Sequence, residues 1–438
     1  MQENISNTAE NMYKLAENLW SYNRSITGDG VRKTLSAIKK IIPDLQIVEV
    51  PSGKKVFNWV VPQEWVVRSA YIKTPDGRKI CDFEKNNLHL VGYSSPINTC
   101  ISLKELKKKL YSLPEMPEAI PYLTSYYKKQ WGFCISEKEK DSLPEGDYEV
   151  YIDSEFIEGS LTYGEILVKG NIDKEVFMST YICHPSMANN ELSGICVTTF
   201  LAKYLTERKD LRYSYRIIFI PETIGSITYL SQNLEILKSN VIAGYNITCV
   251  GDDRNFSYLP SRNGNTLSDY VAKHVLLHEV GDYISYEWRD RGSDERQYCW
   301  PGIDLPIASM MRTKYGKYKE YHTSLDALGS VVTPKGLLGA YNIYCAALHI
   351  IERNCYPVVT TLCEPFLSRW NLYPELGNKV GVADARLLID ILSWCDGKNS
   401  VLDIADRCKC YAIKVIDNLE IAAKAGLVNL DKKRLYNN

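Results

Sequence analysis

The chain has 438 residues, with 52 lysines and arginines against 53 aspartates and glutamates, and a formal net charge of -1. This length exceeds a single ordinary core, so about two to four domains are expected. The balanced charge excludes a global field that would draw the protein to nucleic acid or to an anionic membrane. Partners therefore have to be predicted from local sites.

The opening residues, MQENISNTAENMYKLAENLW, contain no basic segment that leads into an apolar one, and no later run approaches about 18 uninterrupted apolar residues. The 13 cysteines are odd in number and stand mostly inside apolar segments, as free thiols do. We therefore expect a cytoplasmic protein in a reducing compartment, without a membrane partner.

The first half of the chain changes character near residue 56. Residues 7–20 and 29–42 repeat apolar positions with a helical period, and LQIVEV then has the pattern of a strand. Short alternating strands follow in NWVVPQEWVVRSAYIKTPDGRKICDF, where PDG predicts a hairpin turn. Residues 56–159 are accordingly predicted to form a β-rich domain.

From about residue 160 the chain alternates strands with amphipathic helices, as in EVFMSTYIC followed by GICVTTFLAKYL. This alternation predicts a mixed sheet covered by helices on both faces, a three-layer α/β/α arrangement. The two opening helices and the first strand fit the same layers. We therefore predict one discontinuous α/β domain from residues 1–55 and 160–368, with the β-rich domain inserted into it.

Residues 369–438 have a third pattern, with three short helices and a terminal β-hairpin that together predict a winged helix. The third helix carries about as many acids as bases, whereas a helix that reads a DNA groove needs a basic surface. Packing or protein contact is therefore expected in place of nucleic-acid binding. Association of identical chains is left open.

One stretch, CHPSMANNELSG, places His184 and Asn190 between a buried strand and a helix. In an open α/β sheet this is the carboxyl edge, where ligands bind. Further chemistry-bearing residues are expected at the same edge: Glu222, Thr248, Asp294 and His322. Imidazole and carboxylate are the ligands that zinc prefers, and a catalytic zinc typically keeps about three of them.

Six segments follow one another in the order CHPS, NNELSG, PETIGS, NITCVG, GSDERQY and YHTSLD. In this order they resemble the motifs of the zinc aminopeptidase family with co-catalytic metals, whose fold is shared with the transferrin-receptor ectodomain. More narrowly, the whole chain looks like aminopeptidase-like domain proteins associated with bacterial polysaccharide biosynthesis. The resemblance implies a zinc-peptidase-like fold with an inserted β domain and a C-terminal winged helix.

The chain departs from the family motifs at three ligand positions. Asn190 stands where the family has its metal-bridging aspartate, Thr223 where it has a second glutamate, and Thr248 where it has another aspartate. Because neutral side chains compensate two dications poorly, we expect at most one zinc ion. The predicted ligands are His184, His322 and the oxygen of Asn190, and Asp294 or Glu295 is expected to supply negative charge.

The resemblance implies a hydrolase that cleaves an amide or peptide bond, with Glu222 as general base and Asp294 as a second catalytic residue. The residues predicted to contact an amide-bearing substrate are Tyr321, Arg312 and Glu295. Two other functions stay open. The site is either degenerate and binds a partner without turnover, or it belongs to an amidase or deacetylase that acts on an amino sugar.

Each assignment has a structural alternative. His184 fits a strand-end histidine bonded to backbone, Glu222 fits the first turn of a helix, and Asp294 fits a salt bridge with a nearby arginine. His274 and His278 have metal-site spacing on an amphipathic helix but lack a matching third ligand.

Overall fold

The computed structural model describes residues 2–372 and 379–431. Two compact units divide the chain, the first made of Met1–Arg262 with Ile284–Asn342 and the second of Asn263–Tyr283 with Ile343–Asn438. The domain limits drawn from the sequence stay predictions. Among the described residues, no helix is long and apolar enough to cross a membrane.

The helices are, in chain order, α1 (Gln2–Leu19), α2 (Asp29–Ile41), α3 (Leu103–Leu106), α4 (Glu137–Asp141), α5 (Ser193–Thr206), α6 (Ile224–Asn240), α7 (Leu267–Val275), α8 (Glu295–Tyr298), α9 (Pro334–Arg353), α10 (Lys379–Ser393), α11 (Val401–Cys408) and α12 (Ala412–Lys424). The helical periods near residues 7–20 and 29–42 thus correspond to α1 and α2.

The strands are, in chain order, β1 (Gln46–Pro51), β2 (Lys55–Val56), β3 (Trp59–Val60), β4 (Glu64–Lys73), β5 (Lys79–Ile80), β6 (Ile97–Ser102), β7 (Leu110–Tyr111), β8 (Phe133–Cys134), β9 (Asp147–Ile157), β10 (Ser160–Val168), β11 (Ile172–Tyr181), β12 (Tyr213–Ile220), β13 (Val241–Asn246), β14 (Ser257–Leu259), β15 (Ile284–Ser285), β16 (Ile307–Met311), β17 (Tyr356–Val359) and β18 (Val428–Asp431).

The first unit contains an eight-stranded mixed sheet, with the strands in the order β1-β10-β12-β11-β13-β16-β14-β15. Its central strands β12, β11, β13 and β16 run parallel to one another. All of β12 and β13 and most of β11 are buried on both faces, which requires a layer on each side of the sheet. The three-layer α/β/α fold expected from the alternation of strands and helices is confirmed.

The predicted insertion folds around a separate antiparallel sheet, in the order β5-β4-β9-β6. Strands β4 and β5 pair across the Pro75-Asp76-Gly77 turn, and Gly77 takes a φ of +85° that an L side chain rarely adopts. Alternate residues of β9 are buried, as expected of a sheet with one covered face. The chain passes from β9 directly into β10 of the main sheet.

The second unit contains α10, α11 and α12, the three helices of the predicted winged helix. Helix α11 begins with a capping box in which Ser400 and Asp403 satisfy each other's backbone N–H groups. Strand β18 pairs antiparallel with β17. The second strand of the predicted terminal hairpin falls on residues 432–438, which lie outside the described part of the chain.

In the same unit, both nitrogens of His274 are engaged. Its Nε2 accepts the Ala412 N–H at 2.9 Å, and its Nδ1 lies 3.4 Å from a carboxylate oxygen of Asp406. His278 stacks on the Tyr411 ring with centroids 5.1 Å apart. His274 therefore caps the start of α12, and the structural alternative explains this histidine pair better than a metal site does.

Candidate active site

Three parallel strands deliver the first candidate residues to one edge of the main sheet. His184 follows β11 by three residues, Glu222 follows β12 by two, and Thr248 follows β13 by two. Because β11 pairs in parallel with both β12 and β13, their carboxyl ends meet at the same edge. A π-helical turn, Ala188–Leu192, then carries Asn190 and leads into α5.

His184 is buried, with only 3 % of its surface exposed, and a carboxylate fixes its orientation. Its Nδ1 lies 2.8 Å from Oε2 of Glu191, and its Nε2 lies 3.7 Å from Oε2 of Glu222. Burial, with a smaller effect from Arg24, lowers the pKa of His184 to about 3, so the ring is neutral. An Nδ1–H donated to Glu191 leaves the Nε2 lone pair free to bind a ligand.

Glu191 is in turn held by Arg24, and both side chains are fully buried. The Arg24 Nε lies 3.7 Å from Oε1 of Glu191 and donates a hydrogen bond to the His184 carbonyl at 3.0 Å. A second guanidinium nitrogen donates to the Leu19 carbonyl at 2.7 Å. Burial raises the pKa of Glu191 and lowers that of Arg24, and each charge opposes the shift of the other. A buried Arg–Glu–His chain therefore supports the site.

His322 faces the same space from the loop after β16. Its ring centroid lies 5.5 Å from that of His184, and its buried Nε2 has no hydrogen-bond partner. Tyr321 stacks on it at 3.9 Å with the two rings nearly parallel. Burial, followed by the neighbouring His184, lowers the pKa of His322 to about 3. A neutral imidazole nitrogen left unpaired in a buried position is a natural metal ligand.

Glu222 and Asp294 form the acidic side of the site. Burial, followed by the nearby Asp294, raises the pKa of Glu222 to about 8, although 21 % of the Glu222 side chain is exposed to water. Burial likewise raises the pKa of Asp294 to about 7. One Asp294 oxygen accepts the Thr223 N–H and the Ser226 hydroxyl, each at 2.8 Å. Asp294 thereby holds the turn that carries Glu222.

At this edge of the sheet, several non-glycine residues have a backbone conformation in the left-handed region. Ser186, Thr223, Cys249 and His322 have φ values of 42°, 64°, 52° and 56°. Each follows or ends one of the segments that form the site. Such conformations are costly and tend to cluster where the surrounding structure fixes a functional geometry.

Asn190 lies in a hydrogen-bonded cluster with Tyr181 and Thr248. The Tyr181 hydroxyl bonds to Thr248 Oγ1 and donates to Asn190 Oδ1 at 3.3 Å. The Asn190 backbone N–H donates to Asp326 Oδ2 at 3.0 Å, while the side-chain nitrogen has no partner. The oxygen predicted to bind metal thus already accepts a hydrogen bond.

Arg312 and Glu295 have structural partners of their own. Arg312 donates to the Asp252 carbonyl, lies over the Phe256 ring at 3.8 Å and stands 3.8 Å from the Asp253 carboxylate. Glu295 accepts the Tyr315 hydroxyl at 2.6 Å and the Asn246 amide at 3.0 Å. Both side chains hold loops, and none of these contacts joins them to the histidine pair.

The predicted insertion supplies one wall of the site through Tyr122. Its ring lies 5.2 Å from each of the two rings of His184 and His322. Its N–H donates to the His322 carbonyl at 2.8 Å, and Ser324 N–H donates to the Ile120 carbonyl at 2.8 Å. The Tyr122 side chain also hydrogen-bonds that of Tyr126.

Four residues of the site were not predicted from the sequence: Arg24, Glu191, Tyr122 and Tyr181. Glu191 could have been predicted to be paired, because a charged residue between two apolar segments needs a partner when it is buried. The partner itself, 160 residues before His184 along the chain, has no local signal.

The donors at this site fit one divalent cation. Cys183, His184 and Glu191 bring ligand atoms within 4.8 Å of one another, but His184 Nδ1 is taken by Glu191 and burial raises the pKa of the Cys183 thiol. The two imidazole nitrogens that remain are His184 Nε2 and His322 Nε2, and the Glu222 carboxylate lies 3.7 Å from the first of them. Two neutral imidazoles are ligands that zinc uses, and the neighbouring Glu222 carboxylate is left available as a general base.

Residues 13–354 match the protein family described as "Domain of unknown function (DUF4910)". The chain belongs to this family. Residues 354–430 match a second family, described as "winged helix-turn-helix". The expected winged helix is therefore confirmed.

A curated relative from Clostridium acetobutylicum is described as "Putative polysaccharide biosynthesis protein with aminopeptidase-like domain". It is 44% identical over 405 residues, which cover 92% of each chain. The crystal structure of a putative peptidase from the same organism has 41% identity and a TM-score of 0.90, and covers 98% of each chain. The resemblance drawn from the six motifs is confirmed.

A zinc aminopeptidase from Bacillus subtilis, BSAP, is a more distant structural neighbour. It has 13% identity and a TM-score of 0.57, with 78% of this chain and 94% of that chain covered. At this identity the likeness concerns the fold alone. This DUF4910 member thus has an aminopeptidase-like α/β fold, as predicted.

Proposed function

We propose that the chain is a zinc-dependent, aminopeptidase-like hydrolase that cleaves an amide or peptide bond, with one ion held by His184 and His322. The observation that carries the proposal is the pair of imidazole rings 5.5 Å apart, in which His322 Nε2 has no hydrogen-bond partner and His184 Nε2 lies 3.7 Å from the Glu222 carboxylate. When bound, zinc supplies polarisation of the amide carbonyl and a water of lowered pKa. The Asn190 oxygen already accepts a hydrogen bond from Tyr181, which leaves it one lone pair for this ligand set.

The residues of the chain perform the proton transfers. Glu222 accepts a proton from the attacking water as the water oxygen bonds to the carbonyl carbon. The carbon–nitrogen bond then breaks and Glu222 returns the proton to the leaving nitrogen, so the products are a carboxylic acid and an amine. Asp294 keeps Glu222 in place through the Thr223 N–H, and Glu191 keeps His184 Nε2 directed at the site.

The relatives support an amide-bearing substrate. The curated relative carries both "polysaccharide biosynthesis" and "aminopeptidase-like domain" in its description, and BSAP is described as a zinc aminopeptidase. The first phrase favours an acetamido sugar as an alternative amide substrate. The catalytic residues proposed above are the same for a peptide and for such a sugar.

A second candidate is a binding module without turnover. The observation that favours it is the Tyr181–Thr248–Asn190 cluster, in which neutral groups hydrogen-bond one another. In this reading the cleft binds a peptide or sugar, and no metal is required.

Metal content separates these candidates. The chain is purified without added zinc and its metals are quantified by mass spectrometry. About one ion per chain supports the proposed site, about two contradict the single-ion arrangement, and a value near zero favours the binding module. His184→Ala and His322→Ala serve as the matched variants, because each removes one proposed ligand.

A further inference from the structure

A groove of about 570 Å³ opens on the same unit as the candidate active site. Three segments line it: the β2–β3 hairpin, helix α6 and the loop after α8. Three of its aromatic side chains are exposed to water, with exposed fractions of 55 % for Phe57, 41 % for Trp59 and 57 % for Trp300. Its volume lies within the range of about 300–1,000 Å³ typical of small-molecule sites. Concentrated apolar exposure of this kind marks a binding surface.

The lining of the groove selects the chemistry of its ligand. None of the eleven described residues that line it is charged, and only Asn58 and Gln297 have polar side chains. On α6, Ile227, Leu230 and Leu234 are spaced by three and four residues and so share one helix face. An anionic group would lose its hydration here without gaining a cation, whereas a neutral apolar group gains burial.

The groove begins at Ile227 in the first turn of α6, the helix that follows the proposed general base Glu222 in the chain. Helix α6 starts directly after Glu222 and Thr223, and the Ile227 N–H donates to the Thr223 carbonyl at 2.9 Å. Four residues of helix advance about 6 Å. On the opposite wall, the Gln297 N–H donates to the Asp294 carbonyl at 2.9 Å. Both walls therefore begin a few residues along the chain from Glu222 and Asp294 and continue into the apolar surface.

We propose that this groove binds a bulky, uncharged apolar or aromatic group of the substrate while its amide bond lies at Glu222. The proposal rests on the proposed function and narrows its substrate class. Small amides that lack such a group leave the groove empty. Amides with an aromatic or long aliphatic substituent bury it against α6 and Trp300.

Equilibrium dialysis with L-phenylalanine 2-naphthylamide measures this binding directly, and glycinamide is the comparison ligand. Leu234→Arg places a charge in the groove, and its matched control is Ile236→Arg on the same helix, where Ile236 is 44 % exposed and outside the groove lining. Trp300→Ala removes an aromatic wall, with Trp394→Ala in the second unit as its control. We expect each groove variant to weaken binding of the naphthylamide by about tenfold or more, with both controls unchanged.

The outcomes separate the groove from the catalytic proposal. If the parent chain binds the naphthylamide and Leu234→Arg does not, the groove proposal is supported, even when no hydrolysis is detected. The absence of hydrolysis counts against the hydrolase proposal alone. If the chain hydrolyses amides but Leu234→Arg does not change the affinity for the naphthylamide, the groove proposal is wrong and the hydrolase proposal is unaffected. A change of oligomeric state in Trp300→Ala, measured by sedimentation, shows that the groove is an interface between copies and overturns the proposal.

Discussion

Replacing Arg24 by methionine tests the buried chain that supports His184. Methionine nearly keeps the length of the side chain but removes the donors to the His184 and Leu19 carbonyls, at 3.0 and 2.7 Å, and the cation 3.7 Å from Glu191. Removing one partner of a buried ion pair costs about 3–5 kcal/mol, because the remaining charge is left without compensation. We expect Arg24→Met to lower the free energy of unfolding of its unit by about 4 kcal/mol.

Urea unfolding followed by tryptophan fluorescence measures this loss, with an unchanged slope confirming that the compactness of the two states is preserved. Arg68→Met is the matched control, since the carboxylates that pair with Arg68 are solvated. Adding Glu191→Gln to Arg24→Met should recover part of the stability, because the amide needs no cation. The reasoning is refuted by an Arg24→Met variant as stable as Arg68→Met, or by a double variant no more stable than Arg24→Met alone.

Four further predictions concern the site itself. His184→Ala and His322→Ala should each abolish zinc binding in a chelating-dye titration while the circular dichroism spectrum is kept; full zinc occupancy would remove that histidine from the site. Glu222→Gln should retain zinc but lose about 10²–10⁴ in the rate of amide hydrolysis, and an unchanged rate would exclude it as general base. Asn190→Asp should tighten zinc by about tenfold through its added charge, whereas unchanged affinity would place it outside the ligands. Tyr122→Phe should leave zinc affinity unchanged, since only the hydroxyl that bonds Tyr126 is lost; weaker zinc binding would contradict this.

The sheet and its functional edge follow from local patterns in the sequence. Strand–turn–helix alternation from residue 160 onward corresponds to β10–β13 with α5 and α6, and parallel pairing brings the residues after each strand together. His184 and Glu222 could therefore be placed from the ends of their strands alone. His322 lies on a loop whose backbone conformation no periodicity describes, and only the motif order pointed to it.

The contacts that support the site could not be predicted from local patterns in the sequence. Arg24 contacts the His184 carbonyl across 160 residues, and Tyr122 reaches the histidines from the predicted insertion. Such contacts depend on which elements pack together, and periodicity in one sequence shows which face of an element is buried but not what it packs against. Asn190 shows the same limit, because its hydrogen bond from Tyr181 depends on where the end of β11 lies relative to the π-helical turn.

The dispersal of the site along the chain determines when it forms during synthesis. Arg24 and Glu191 are translated long before His322, whose segment completes the pocket against Tyr122. At about 5–20 residues per second, the ribosome takes roughly 7–28 s to advance from residue 184 to residue 322. Throughout that interval the β-rich segment is already available to fold, while the edge of the sheet lacks its last loop. The pocket therefore cannot be complete until residue 322 has been synthesised.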